Sequence, residues 1–236
     1  MPRIRSTRAR ESFIGLGPSF IKLLQESPDP DRTLASLERL VAAYGAGDMI
    51  FCMLSIHEGA RDLLLSLCAT SQFLVSLMVR NPGLLDWVVS SDVLYKDHSI
   101  QEMKVELETV VDRVVSTERI TTSMNAFKNR ELLRIGTRDV AGLAGTFDTF
   151  NALTKLAETV LDVVVRAVYT NFSSKNGVPQ NEDGGEVRFA VFGSGKLGRR
   201  ELNFGSYLDL VLVYESDGQT DGVAPANNSE FLEDFV

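Results

Sequence analysis

The chain has 236 residues, enough for one large domain or two small ones, and its 44% hydrophobic and 24% charged residues are typical of a globular protein. Its formal net charge of −8 disfavours general binding to DNA or RNA, because an acidic chain gains nothing from counterion release there. We therefore expect no nucleic-acid partner.

The first ten residues, MPRIRSTRAR, are basic, but no apolar core follows them, so a secretory signal is not predicted. No run of about 18 apolar residues occurs along the chain, and we expect no membrane partner. Cys52 and Cys68 stand apart without a CxxC spacing, which is typical of a chain in a reducing cytosol.

Apolar residues recur with a helical period from about Pro18 to Tyr169, which predicts a helical bundle. Residues 31–45 form the first clear helix, and Gly45 is predicted to end it. The core-facing stripe of this helix is predicted to consist of Leu34, Leu37, Leu40 and Val41.

Further along, Ser71 is predicted to cap a helix that ends at Asn81 and Pro82, and Trp87 in the next helix is predicted to be buried. Residues 99–135 are predicted to form one long helix, with a possible bend near the Thr121-Thr122-Ser123 triplet. After Gly136 we expect a short helix over 137–145, and then a second long helix over 146–169.

Residues 171–186 are polar and rich in Gly and Asn, which predicts a loop or domain boundary. Beyond it the period changes to alternation in 187–192, and 208–214 is almost wholly apolar. These runs predict two strands, the second buried on both faces. A loop and the start of an amphipathic helix follow. Because two strands are marginal as a sheet, we expect the chain to be the front part of something longer.

The stretch VRFAVFGSGKLGRRELNFGSYLDLVLVYE contains the spacing G-x-G-x-x-G at Gly193, Gly195 and Gly198, as in dinucleotide-binding loops. A dinucleotide fold needs a parallel crossover of a dozen or more residues, and only nine separate Gly198 from Leu208. We therefore expect an antiparallel or tightly looped pair of strands with about one helical turn between them. The P-loop pattern also fails, because Leu follows Lys196.

A nucleotidyl-transfer site is the alternative interpretation. Alternate residues of a strand share a face, so carboxylates at positions 207 and 209 would converge on divalent cations. The Gly205-Ser206 turn before them would let backbone amides approach a phosphate, and Lys196 would add positive charge. Asp209 is present, but Tyr207 is a neutral phenol and a poor ligand for a hard cation.

The segment GSGKLGRRELNFGSYLDL resembles the signature of glutamine synthetase adenylyltransferases, which reads roughly G-x-G-K-L-G-G-x-E-L-x-x-G-S-D-L-D-L. Three further stretches are similar to helical segments of that family: SQFLVSLMVRNPGLLDWV, FKNRELLRIGTRDVAGL and LTKLAETVLDVVVRAVY. The resemblance covers most of the chain from about residue 30.

The resemblance implies an α+β fold, with a mainly α-helical N-terminal region followed by the truncated start of a polymerase-β-like nucleotidyltransferase sheet. The corresponding division is a helical region at 1–170, a linker at 171–186 and a partial nucleotidyltransferase domain at 187–236. The helical lead-in resembles the start of the family's N-terminal, deadenylylating half.

The family consists of large bifunctional cytoplasmic enzymes that attach AMP from ATP to a tyrosine of glutamine synthetase and remove it by phosphorolysis, which gives ADP. The resemblance therefore implies Mg²⁺ and an adenine nucleotide as ligands, and glutamine synthetase and a PII-type signal protein as partners. It also implies a cytoplasmic location.

Family roles carry over to matching positions only. Lys196 and Asp209 are implied as catalytic residues, and Asp209 also as a metal ligand. The implied nucleotide-binding positions are Gly193, Gly195, Gly198, Gly205 and Ser206. Tyr207 replaces the first metal-binding Asp and Arg199 replaces a Gly. We therefore expect impaired catalysis, or alternatively a non-catalytic module that binds glutamine synthetase or a nucleotide.

Two questions stay open at this point. Glu201 would either support the site or pair with Arg199 or Arg200. Arg134 and Arg138, with Asp139, would either orient the sheet against the helices or reach a phosphate. We favour the structural role, because Arg–Asp pairs commonly tie elements together.

Overall fold

The computed structural model describes residues 7–45, 47–89, 94–112 and 117–235. Helices dominate it, and a few short antiparallel strands follow them, so the predicted α+β class is confirmed. The helices of the first two thirds are α1 (Thr7–Gly15), α2 (Gly17–Glu26), α3 (Pro30–Tyr44), α4 (Gly47–Ile56), α5 (Glu58–Thr70), α6 (Gln72–Arg80), α7 (Gly83–Val89), α8 (Ile100–Asp112), α9 (Thr117–Val140) and α10 (Thr146–Asn176). Then come β1 (Pro179–Gln180), β2 (Phe189–Gly193), α11 (Gly195–Gly198), β3 (Leu210–Tyr214), β4 (Gln219–Thr220) and α12 (Asn228–Phe235).

By its internal contacts the chain divides into two compact units, each assembled from two stretches of sequence. The first comprises 1–97 and 129–149, and the second comprises 98–128 and 150–236. The division of the chain into 1–170, 171–186 and 187–236 stays a prediction. The helix α10 continues through Asn176, so the first residues of the expected linker are helical.

In the first unit, α3 shows how local sequence sets a helix. Asp29 accepts a hydrogen bond from the Arg32 amide at 3.0 Å, and the left-handed Gly45 ends the helix as predicted. Leu37, Leu40 and Val41 are buried as predicted, but Leu34 is 48% exposed. The buried stripe instead includes Thr33 and Ser36, whose hydroxyls are satisfied by carbonyls one turn earlier.

The capping prediction at Ser71 is confirmed, since its hydroxyl accepts from the Leu74 amide at 3.3 Å. The helix α6 ends before Asn81, also as predicted. Trp87 is half-buried rather than buried. The core of this unit is apolar and lies mainly among α3 to α7.

The expected helix end at Gly136 is wrong, because α9 runs unbroken to Val140. A Cβ at position 136 would lie 2.6 Å from Leu74 Cδ2, so this glycine permits close packing. The Thr121–Ser123 triplet lies within the same helix. The continuity predicted between α8 and α9 falls on residues 113–116, outside the described residues.

Arg134 and Arg138 have structural roles, as we favoured, but their partners differ from those expected. Arg134 pairs with Glu131 at 2.9 Å, and the two side chains are 2% and 0% exposed. Both arginines also donate to the Lys96 carbonyl, and Arg138 donates to the Leu94 carbonyl. They therefore hold the segment that follows α7.

In the second unit, β2 and β3 form an antiparallel pair with Phe189 opposite Tyr214 and Gly193 opposite Leu210, as the short spacing predicted. Next to this hairpin, rings from α10, β2 and α12 pack with centroids 4.9–6.3 Å apart. These rings belong to Tyr169, Phe172, Phe189, Phe231 and Phe235.

The expectation that the second strand is buried on both faces is wrong. In β3, Val211 and Val213 are 51% and 49% exposed, and Phe192, which lies opposite Val211 on β2, is 57% exposed. Within the part of the chain that the structure describes, β3 pairs only with β2, and this face remains uncovered.

The polar segments on either side of the hairpin are more ordered than a loop prediction implies. In them β1 pairs with β4, and Asp221 accepts from the Val178 amide at 2.6 Å and from Gln180 Nε2 at 2.9 Å. A Cβ on Gly177 would lie 2.1 Å from the Gly222 nitrogen, so the backbones of the two segments are in close contact at these glycines.

Among the described residues, no single helix is long and apolar enough to cross a membrane, although the bent pairs α3 with α4 and α5 with α6 would pass by length and composition.

Candidate functional site

The glycine-rich loop links β2 to the one-turn helix α11, and the backbone ties its start to the residue before β3. The Ser194 amide donates to the Asp209 carbonyl at 2.8 Å. Gly193 and Leu210 face each other at the end of the strand pair. The hairpin therefore brings Gly193, Gly195 and Asp209 together, although the last two are 14 residues apart in the chain.

Two of the glycines are required by close approach. Gly195 has a left-handed φ of +54°, and a Cβ there would lie 2.6 Å from Asp209 Oδ2. At Gly198 a Cβ would lie 2.7 Å from the Gly193 carbonyl oxygen. The loop thus turns back on itself tightly, and no side chain at position 195 separates its backbone from the Asp209 carboxylate.

The dinucleotide interpretation loses its structural basis here. The helix after the second glycine has four residues, and the strands on either side of it are antiparallel. A dinucleotide fold requires a full crossover helix and a parallel strand. Both predictions from the short spacing, one helical turn and an antiparallel strand pair, are confirmed.

Lys196 and Asp209 are both solvent-exposed. Within the described residues, neither side chain has a hydrogen-bond or ion-pair partner. The cation and the carboxylate that the sequence singled out are therefore both available to a ligand, on a loop whose backbone is otherwise internally bonded.

The Gly205-Ser206 turn is held by its own hydrogen bonds. The Ser206 amide donates to the Asn203 carbonyl, and the Asn203 amide donates to Ser206 Oγ, both at 3.0 Å. Gly205 has a φ of +74°, and a Cβ there would meet nothing within 4 Å. The two hydrogen bonds close the turn, and the Ser206 hydroxyl oxygen already accepts one of them.

Tyr207 and Asp209 do not lie in the strand, since β3 begins at Leu210. The alternation that was to place positions 207 and 209 on one strand face therefore does not apply to them. The Tyr207 side chain is 91% exposed and extends into solvent.

The donor set around Asp209 determines which metal arrangement fits. No group of three or more His, Cys, Asp or Glu residues suited to a metal ion occurs in the described ranges. Mg²⁺ is commonly held by one or two carboxylates together with substrate phosphates. Asp209 therefore fits one ion shared with a nucleotide, and the described residues do not fit a two-ion centre.

The open question about Glu201 is resolved by two separate ion pairs. Arg199 pairs with Glu201 at 3.4 Å, with both side chains largely exposed. Arg200 instead contacts α10, where Glu158 lies 2.7 Å away. No sequence signal pointed to this second pair, because its partners are 42 residues apart.

A cleft of about 590 Å³ lies between the loop and α10. Its loop side contains Gly193, Leu197 and Gly198, and its helix side contains Asp162 and Arg166. Burial raises the pKa of Asp162, but hydrogen bonds from Lys104 at 2.5 Å and Arg166 at 2.9 Å outweigh it and lower that pKa. The charges at Asp162 are thus already paired.

Comparison with known proteins identifies relatives of this chain. The family model for glutamate-ammonia ligase adenylyltransferase matches residues 62–234. A bifunctional glutamine synthetase adenylyltransferase/adenylyl-removing enzyme from Thioalkalivibrio sulfidiphilus is 33% identical over 171 residues, which is 72% of this chain and 18% of that protein. The proteins of the same name from Shewanella frigidimarina and Pseudomonas putida are 30% and 29% identical, over 95% and 98% of this chain. The chain spans about a quarter or less of the length of these relatives.

Proposed function

This chain belongs to the glutamate-ammonia ligase adenylyltransferase family, and we propose that its glycine loop and Asp209 hold the phosphates of an adenine nucleotide. The reaction served is AMP transfer to a tyrosine of glutamine synthetase, or phosphorolytic removal of that AMP. The observation that carries this proposal is the contact between Gly195 and the Asp209 carboxylate.

The loop has the features that phosphate binding requires. Glycines leave the backbone open to close approach by an anion, and the unpaired cation of Lys196 lies within the same turn. Lys196 would offset phosphate charge without first breaking an ion pair. These features support nucleotide binding at the loop and the roles of Gly193 and Gly198.

We extend the proposal to the ligands and partners that the family resemblance implies. Asp209 would supply one oxygen ligand to a Mg²⁺ ion that nucleotide phosphates also hold, and the bound ion would neutralise phosphate charge. Glutamine synthetase is the proposed protein substrate, a PII-type signal protein the proposed regulator and the cytoplasm the proposed location.

Turnover by this chain is proposed to be impaired. Tyr207 stands at the position of a second carboxylate, and a neutral phenol binds hard cations poorly. The phenol therefore leaves Asp209 without a second carboxylate from this position. Binding of a nucleotide would therefore persist while AMP transfer is slow.

The test is release of ADP from adenylylated glutamine synthetase in the presence of this chain, inorganic phosphate and Mg²⁺. We expect a low rate, raised by Tyr207→Asp. The matched control is Tyr207→Asn, which removes the ring without adding a carboxylate and should leave the rate low. A rate that Tyr207→Asp leaves unchanged would contradict the role given to this position.

A second candidate is a non-catalytic module that binds glutamine synthetase or a nucleotide. The single carboxylate beside the loop and the exposed Tyr207 favour it. It predicts that the unmodified chain and Tyr207→Asp bind nucleotide equally and that neither releases ADP. A gain of ADP release with Tyr207→Asp would eliminate this candidate.

A further inference from the structure

Arg200 adopts a backbone conformation that its side chain disfavours. Its φ is +59°, and it is the only non-glycine residue with positive φ within the described ranges. It follows Arg199, which caps α11, and a left-handed residue just after a helix is usually glycine. Such a conformation in a non-glycine residue persists where the surrounding structure holds it.

Those contacts reach α10. Arg200 Nη1 donates to Glu158 Oε1 at 2.7 Å, and Nη2 donates to Glu158 Oε2 at 3.4 Å and to Asn151 Oδ1 at 3.3 Å. Glu158 and Asn151 are seven residues apart and so share one face of α10. The guanidinium therefore binds two side chains of a long helix in a forked geometry.

The glycine loop is followed directly by this anchor, the contact of Arg200 with Glu158 and Asn151. The amides of Arg199, Arg200 and Glu201 donate to the carbonyls of Gly195, Leu197 and Lys196 at 3.2, 3.0 and 2.9 Å. Three of the four carbonyls of α11, the turn that carries Lys196, are thus bonded to the segment centred on Arg200. Fixing Arg200 on α10 fixes the turn.

We propose that Arg200 is a positioning residue for the nucleotide site, and that its pair with Glu158 holds the loop over 193–198 in the conformation that accepts phosphates. The inference rests on the proposed function. Arg200 acts through the loop, because Glu158 and Asn151 already engage its guanidinium. Lys196 is the cation left for the ligand.

The neighbouring arginine provides a matched control. Arg199 carries the same charge one residue away, but it pairs with Glu201 within the loop, and among the described residues no hydrogen bond or ion pair joins it to α10. Arg199→Gly and Arg200→Gly remove the same charge, and glycine at 200 also suits the left-handed backbone. Only Arg200→Gly removes the anchor.

The test is a titration of the intact chain with methylanthraniloyl-ATP and Mg²⁺. We expect Arg200→Gly to weaken binding at least threefold more than Arg199→Gly does. The variant Glu158→Gln distinguishes two explanations, because they predict changes of opposite sign in nucleotide affinity. Loss of a negative charge near the loop strengthens nucleotide binding by simple electrostatics, whereas loss of the anchor weakens it. We expect weaker binding, and a further loss on adding Arg200→Gly that is no larger than the loss caused by Arg199→Gly alone.

Backbone hydrogen exchange supplies a readout that needs no nucleotide. We expect faster exchange at the amides of 199–201 in Arg200→Gly and Glu158→Gln, and unchanged exchange at α10. Unchanged exchange at 199–201, or equal or tighter binding by Glu158→Gln, would overturn the inference. Failure of the unmodified chain to bind the probe would instead overturn the proposed function, and exchange would still show whether Arg200 anchors the loop.

Discussion

The Asp209 carboxylate lies against the backbone of Gly195, so close that a Cβ at position 195 would be 2.6 Å from Asp209 Oδ2. This contact joins the turn after β2 to the residue before β3. The contact couples the position of the loop to that of the carboxylate. Lys196 follows Gly195 in the same turn. Changes at Gly195 should therefore act on Asp209 directly.

Gly195→Ala is expected to displace the Asp209 carboxylate and to weaken binding of the Mg²⁺ nucleotide at least tenfold. The left-handed φ adds about 1–2 kcal/mol of destabilisation. The control is Gly45→Ala, which has a φ of +72° with nothing within 4 Å and should lose similar stability without affecting the nucleotide. Nucleotide titration of both variants measures the effect on binding, and urea unfolding measures the effect on stability.

Glu131→Ala is expected to destabilise the first unit strongly, because it leaves the Arg134 guanidinium, 2% exposed, without its counter-charge. Breaking a buried pair in this way typically costs about 3–5 kcal/mol. Urea unfolding measures this loss in the free energy of unfolding. The control is Glu215→Ala, which breaks an exposed pair with Arg188 of the same 2.9 Å length. Equal losses in the two variants would contradict the importance of burial.

Gly136→Ala is expected to cost about 1–3 kcal/mol through overpacking against Leu74, despite the better helix propensity of alanine. Adding Leu74→Ala should relieve the clash, so the double variant loses less than the sum of the single changes. Gly59→Ala, also in a helix but with nothing within 4 Å, is the control and should not destabilise. Simple additivity of Gly136→Ala and Leu74→Ala would argue against the contact.

The hydrogen bond from Tyr44 to Asp86, 2.6 Å long, is expected to delay ionisation of this phenol. That bond, together with burial and the charge of Asp86, raises the pKa of Tyr44 from 10.0 to about 12. Because the folded-state pKa is raised, the contribution to stability is complete below pH 10.0 and is lost as the pH rises through about 12. In an absorbance titration, Asp86→Asn should move ionisation of the Tyr44 phenol to lower pH. The variant Tyr44→Phe shows which part of the absorbance change belongs to Tyr44. An unchanged transition would contradict the role of Asp86.

The sequence predicted the features that depend on local chemistry. The cap at Ser71, the end of α3 at Gly45 and the one-turn helix after the glycine loop all follow from residue type and spacing. The antiparallel strand pair followed from chain length alone, since nine residues cannot form a crossover helix.

Features that depend on distant contacts were not predictable. The sequence predicted a helix end at Gly136, but Gly136 lies within α9 and packs closely against Leu74. An apolar run such as β3 cannot show whether anything covers it. Arg200 and Glu158 carry no local pattern that links them, and only the folded second unit brings them together.

The most direct test of the account is equilibrium titration of the intact chain with methylanthraniloyl-ATP and Mg²⁺, compared with Gly195→Ala and with Gly45→Ala. We predict saturable binding that unlabelled ATP or ADP competes away, that Gly195→Ala weakens at least tenfold and that Gly45→Ala leaves intact. Absence of saturable binding, or equal binding by Gly195→Ala, would contradict the claim that the glycine loop and Asp209 hold a nucleotide.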